Sequence, residues 1–170
     1  IRDLVRSRGL GDVYKRQRRK DREITDRDCI DDIIEACDCC RLGFCDEGEP
    51  YIVPLNFGYD RNAGVFYFHS AREGKKIDLI QKNGHAVFEL DTNHAVNGGE
   101  QACDYSFRFQ SIMGAGRVEL VKESAEKEYA LRLLMSHYTQ RENWSFSAHE
   151  LHAVAVIKLT IETISCKRHD

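Results

Sequence analysis

Apolar and polar positions alternate along most of this chain, and the alternation changes period in three places. Residues 26–37 follow a helical period, with Ile30, Ile33, Ile34 and Cys37 on one face and Thr25 as the expected cap, Asp28 three residues on. Cys39 to Cys45 reads as a short strand that ends at the polar run Asp46-Glu47-Gly48-Glu49. Residues 51–59 alternate with β-formers, 60–64 supply turn residues, and Val65 to Phe68 return, so 51–68 is predicted to be one β-hairpin. A short helix is expected over Glu73–Gln81, with Ile77 and Ile80 inward and Asn83-Gly84 as the stop. His85–Asp91 reads as a strand and 92–103 as a polar loop. A long central strand falls within Tyr105–Val121, where Gly114 and Gly116 mark a bulge or a close backbone approach. Ser124–Tyr138 is a third helix with Ala125, Tyr129, Ala130, Leu133 and Leu134 on one face. A loop or short turn over 139–152 leads to a last strand, Ala153–Ile164. Some six strands, three helices and no strand–helix–strand alternation predict a mainly β chain, an antiparallel barrel with peripheral helices.

Composition narrows the class. A chain of 170 residues can bury a sizeable core. It contains no run long enough to span a membrane, and no signal peptide with an apolar centre, so a cytoplasmic location is expected. Residues 1–17 are expected to be non-native, because Asp12-Val13-Tyr14-Lys15-Arg16-Gln17 is the in-frame translation of a common library adapter; the alternative is a basic arm that binds nucleic acid. Without that segment the chain is more acidic than its formal net charge of −3, which gives no reason to expect nucleic acid. Seven cysteines include the cluster Cys37, Cys39, Cys40 and Cys45, whose spacing is not that of a structural zinc site. They read as reduced thiols, mostly small buried hydrophobes. His149 and His152 could share a helix face, but without a carboxylate motif they do not argue for a metal.

The stretch from Tyr51 to Lys76 carries the candidate chemistry. Ser70, Lys75 and Lys76 gather around the Arg72-Glu73-Gly74 break between a strand and a helix start. Two ammonium groups, a hydroxyl and helix-start amides suit a phosphate monoester. A lysine pair at a helix N-terminus opposes the helix dipole unless an anion is present. Pro54 removes a ladder donor, so its strand is expected at an edge or irregular, leaving backbone groups free beside Val53, Leu55 and Asn56. His69 follows Phe68, so if Phe68 enters the core His69 faces away from it.

The run VPLNFGY, then FYFHSA, EGKK and DLI, resembles the FMN-binding split β-barrels of the pyridoxamine 5′-phosphate oxidase-like superfamily, and within it the nitroimidazole-reductase (Nim) family. The segments ACDYSFRFQSIMGAGRVEL and IETISCKRHD agree in type and order, so the resemblance covers roughly 18–170 as one FMN-binding domain. It implies a homodimer with flavin sites at the interface and FMN as cofactor. It also implies reduction of small electron-poor organics such as nitroimidazoles. It places the FMN phosphate beside Ser70, Lys75 and Lys76, the ring along Val53, Pro54, Leu55 and Asn56, and His69 near ring and substrate as the catalytic group. Arg108 and Ser111 would complete the phosphate site, Arg108 otherwise pairing with Asp104. Lys167, Arg168 and His169, expected to follow the last strand, would lie over the partner's flavin. Two alternatives stay open: a flavin-binding or sensing protein without turnover, and a split barrel that binds haem or a deazaflavin.

Overall fold

The computed structural model describes residues 19–139, 141 and 143–170, so the segment expected to be non-native, 1–17, lies outside the described residues. The strands are β1 (Glu23–Ile24), β2 (Cys40–Asp46), β3 (Glu49–Leu55), β4 (Phe57–Asp60), β5 (Val65–Ser70), β6 (His85–Asn97), β7 (Ser106–Leu120) and β8 (Ala155–His169). The helices are α1 (Arg27–Glu35), α2 (Lys75–Asn83), α3 (Ser124–Tyr138) and α4 (Ala148–Ala153). No described helix is long and apolar enough to cross a membrane.

All eight strands belong to one antiparallel sheet, ordered β3-β2-β6-β7-β8-β5-β4, with β1 added to β8. β3 and β4 are separated in sequence by Asn56 alone, yet stand at opposite ends of that order. Only a rolled sheet can satisfy both facts: the antiparallel barrel that the pattern predicts, in the split form that the resemblance implies. The interior is filled by Leu42, Phe57, Phe66, Phe68, Phe88, Leu90, Ile112, Ile157 and Leu159, each almost fully buried. A second apolar layer lies outside: Val65, Tyr67 and Val156 meet Val121, Ala130, Leu131 and Leu151 beneath α3 and α4. β5 is thus buried on both faces, which is why it reads as a continuous apolar run and not an alternating one.

The predicted hairpin over 51–68 is replaced by two partnerships. β3 pairs with β2, Pro54 opposite Arg41, and only β4 pairs with β5. Pro54 does sit in an end strand of the sheet, as its missing N–H requires. Asp26, not Thr25, caps α1, its carboxylate accepting from the Cys29 amide at 2.8 Å. β6 continues through 92–97, read from its polarity as a loop; a register shift between Thr92 and Ala95 lets these exposed residues pair with the start of β7. α4 forms at the end of the expected 139–152 loop or turn and takes in Ala153, expected to open the last strand; a reciprocal Ser147–Glu150 capping box holds it. Lys167, Arg168 and His169 do not trail the last strand but lie within β8, paired to Ser111, Gln110 and Phe109.

Two contacts lock the wall. Asp31, buried on α1, accepts from the Tyr59 hydroxyl at 2.5 Å and pairs with Arg27 at 3.0 Å and Arg61 at 3.1 Å, tying α1 to the β4–β5 turn. β7 crosses β8 so closely that a Cβ on Gly116 would lie 2.1 Å from the Thr160 carbonyl oxygen, beside the register shift at Ala115/Gly116. Gly116→Ala must push backbone from backbone, and overpacking of this kind costs about 1–3 kcal/mol. Ser136→Ala on the exposed side of α3 should stay within about 0.5 kcal/mol of the parent. Urea denaturation of both variants checks this; equal midpoints would mean that the strands can part freely there.

Candidate functional site

β5 and α2 build the core of the site. In β5 the side chains alternate, so Phe66, Phe68 and Ser70 point one way and His69 the other. Phe68 is 1% exposed while His69 is open to solvent, as the sequence pattern requires. Ser70 is buried, and the Lys76 ammonium reaches back from the first turn of α2 to donate to its hydroxyl oxygen at 2.9 Å. Among the described residues no side chain caps the N-terminus of α2 or comes within 4 Å of a Cβ placed on Gly74. Lys75, one residue earlier on the helix, points elsewhere. It pairs with Asp46 at the end of β2, at 3.0 Å, and its ammonium lies 5.2 Å from the centre of the Tyr51 ring. The lysine pair therefore divides: Asp46 supplies the anion that one lysine needs, and Lys76 stays with the hydroxyl.

β3 and β4 bring the second part. Phe57 is opposite Phe68. That rung is the last of the β4–β5 ladder, so Asn56 and His69 each lie one residue beyond it, while Leu55 already pairs with Cys40 of β2. Val53 and Leu55 are half-buried against the core, whereas Pro54 faces outward on the side of Ile52. The break at Asn56 thus lies at the same end of the β4–β5 ladder as His69 and Ser70.

The remaining predicted residues lie apart. Arg108 sits near the start of β7, while Ser70 pairs with Ala155, just past the Leu120–Ile157 rung at its far end. Twelve residues of strand separate Arg108 from Leu120, about 35–40 Å. Asp104, the alternative partner of Arg108, instead turns its side chain to the Gln101 amide, capping the short turn there. Arg108 lines a cleft of about 330 Å³ with His94, Arg168 and His169. Ser111 and Lys167 are opposite each other in β7 and β8, on the face turned away from Ile112 and Cys166. Within one chain neither Arg108 nor this pair can share a ligand atom with Lys76.

A larger groove, about 820 Å³, was not foreseen from the sequence. It lies on the outer face of β3, β2, β6 and β7, where Ile52, Gly43 and Val87 form one cross-strand row and Met113 the next. Ile52 is 66% exposed and Met113 49%. Arg41 stands at its rim, paired with Glu89 at 2.9 Å and with Asp91, and both carboxylates push its pKa up, Asp91 more strongly. The available signal was an apolar residue at outward positions of strands whose inward positions are already apolar.

The cysteines carry no part of the site. Cys37, Cys40 and Cys166 are fully buried, while Cys45 and Cys103 are exposed, against the expectation that most are buried. Burial pushes the Cys37 thiol up to about 12 and Cys166 to about 11, so neither offers a thiolate near neutral pH.

The sequence profile described as pyridoxamine 5′-phosphate oxidase matches residues 26–168. The chain belongs to that family. A protein described as a candidate 5-nitroimidazole antibiotic resistance protein from Bacteroides thetaiotaomicron VPI-5482 shares 36% identity, over 86% of each chain, with a TM-score of 0.76. Two more distant structures show the same fold: the flavocytochrome Anf3 from Azotobacter vinelandii (22% identity, 91% of this chain and 72% of that one, TM-score 0.77) and a FAD- and heme-binding protein from Mycobacterium smegmatis (19%, 88% and 74%, 0.77). Among curated proteins none matches significantly. Between β5 and α2 this member of the pyridoxamine 5′-phosphate oxidase family has an ammonium, a hydroxyl and a helix start beside an open glycine, donors whose chemistry suits a phosphate.

Proposed function

We propose that the protein is an FMN-dependent oxidoreductase that acts as a homodimer on small electron-poor organic molecules such as nitroimidazoles. The observation that carries this reading is the Lys76–Ser70 pair at the uncapped start of α2, next to the Asn56 break and the exposed His69. Family membership and the 36% identical nitroimidazole-resistance relative support the class of chemistry. Lys76 and Ser70 would hold the phosphate, with α2 amides adding donors. Val53, Leu55 and the backbone freed at Asn56 would line the ring, with Pro54 on the outward side. Bound FMN would supply the electron transfer; the chain supplies orientation, charge and an open face. His69, solvent-facing and free of the core, would orient the acceptor or deliver a proton to it.

The distance between Arg108 and Ser70 supports the dimer. Arg108, Ser111 and Lys167 can assist a flavin only if a second copy brings them to it. The exposed apolar patch of Ile52, Val87 and Met113 gives such a copy a surface to cover.

Three measurements test these roles. Lys76→Ala should weaken FMN binding tenfold or more, since a charge-assisted hydrogen bond contributes about 1.5–3 kcal/mol. Riboflavin, which lacks the phosphate, should be affected far less, and Lys75→Ala should matter less because that lysine already pairs with Asp46. Equal losses for FMN and riboflavin would overturn the phosphate assignment. His69→Ala should keep FMN and lose about two to four orders of magnitude in turnover of a nitroaromatic acceptor; parallel loss of cofactor and activity would make the residue structural. Ile52→Asp, at a position the single chain leaves exposed, should convert a sedimenting dimer to a monomer; an unchanged dimer would move the interface elsewhere.

A further inference from the structure

α3 ends against the one point where the sheet changes partners. The Tyr138 hydroxyl accepts from the Phe57 amide at 3.1 Å and donates to the Asp38 carbonyl at 2.9 Å. Beside it, His137 Nε2 meets the Cys37 carbonyl at 2.8 Å, and the His137 ring lies 4.4 Å from that of Phe57 and 4.6 Å from that of Tyr138. One turn earlier the helix backbone rests on β4 so closely that a Cβ on Gly58 would lie 2.5 Å from the Leu134 nitrogen. α3 therefore cannot slide without moving Phe57, and Phe57 cannot move without moving Asn56. β4 ends the sheet order and pairs with β5 alone, and an N–H left unpaired in a half-buried place is costly. Tyr138 satisfies the Phe57 N–H from outside the sheet. Burial raises the Tyr138 pKa, opposed by hydrogen bonds from Asn56 and the Phe57 amide, so the neutral phenol stays in place to donate to Asp38.

We infer that Tyr138 is a positioning residue: its hydroxyl fixes the Asn56 break in the one geometry that presents it, with Leu55 and His69, to the flavin ring. This rests on the flavin reading above. Tyr129 offers a matched control. It lies on the same helix, and its hydroxyl also makes a long-range bond, to Asp60 at 2.9 Å, but at the far end of β4. Tyr138→Phe keeps the aromatic packing and removes only the oxygen, and Tyr129→Phe does the same away from the break.

Two readouts on the full chain test the inference. Hydrogen–deuterium exchange without added flavin should rise at least tenfold at the Phe57 amide in Tyr138→Phe, and stay at the parent rate in Tyr129→Phe. On titration with FMN, Tyr138→Phe should bind at least fivefold more weakly and shift the absorption maxima of the bound flavin, with Tyr129→Phe unchanged in both. Two variants that exchange alike at Phe57, or that bind flavin with the same affinity and spectrum, overturn the positioning role alone. A parent protein that takes up no flavin overturns the reading of the site and this inference with it.

Discussion

The two ends of the sheet are joined by a single residue. Asn56 lies between β3, which pairs only with β2, and β4, which pairs only with β5. A strand that must change partners within one residue forces the sheet to roll until its ends meet, and a rolled sheet cannot also be laddered across that seam. Backbone groups at the seam must find other partners. Pro54 needs none for its nitrogen, and Tyr138 serves Phe57. Just beyond the last β4–β5 rung, β5 turns His69 to solvent and Ser70 inward, where Lys76 reaches it. Fold and site thus follow from one topological constraint.

Charge is arranged around that opening with some economy. Two adjacent lysines at a helix start repel each other and oppose the helix dipole. Asp46 takes Lys75 away toward β2, so Lys76 alone faces the serine. The half of the site that a phosphate needs is therefore a small set of groups with fixed partners, held by a strand end and a helix start, the rigid kind of support a binding site requires. The outer groove answers a different need. Its apolar row sits on a face that single strands would normally leave polar, and its rim charges are paired with each other across β2 and β6.

Much of this was legible in the residues. Phe68 in, His69 out, and Ser70 near Lys76 came from strand alternation and from helix-start chemistry. The edge position of Pro54 came from its missing N–H. The partner exchange at Asn56 was not legible, because 51–59 carries one unbroken β pattern and nothing local marks a change of neighbour. The extension of β6 through 92–97 was hidden by polarity: those residues pair in an exposed hairpin, where burial no longer selects apolar side chains. The separation of Lys75 from Lys76 depends on Asp46, far away in sequence at another strand's end, and only the folded register reveals it. The distance of Arg108 from Ser70 is likewise a property of β7 as a whole.

The central claim is that the seam between β3 and β5 is a flavin site. Its most direct test is the absorbance spectrum of the protein as purified, followed by mass identification of the chromophore released on denaturation. The account predicts the two visible bands of an oxidised flavin and FMN as the released molecule, one per chain. A Soret band, or a colourless protein that takes up no flavin on reconstitution, would contradict it.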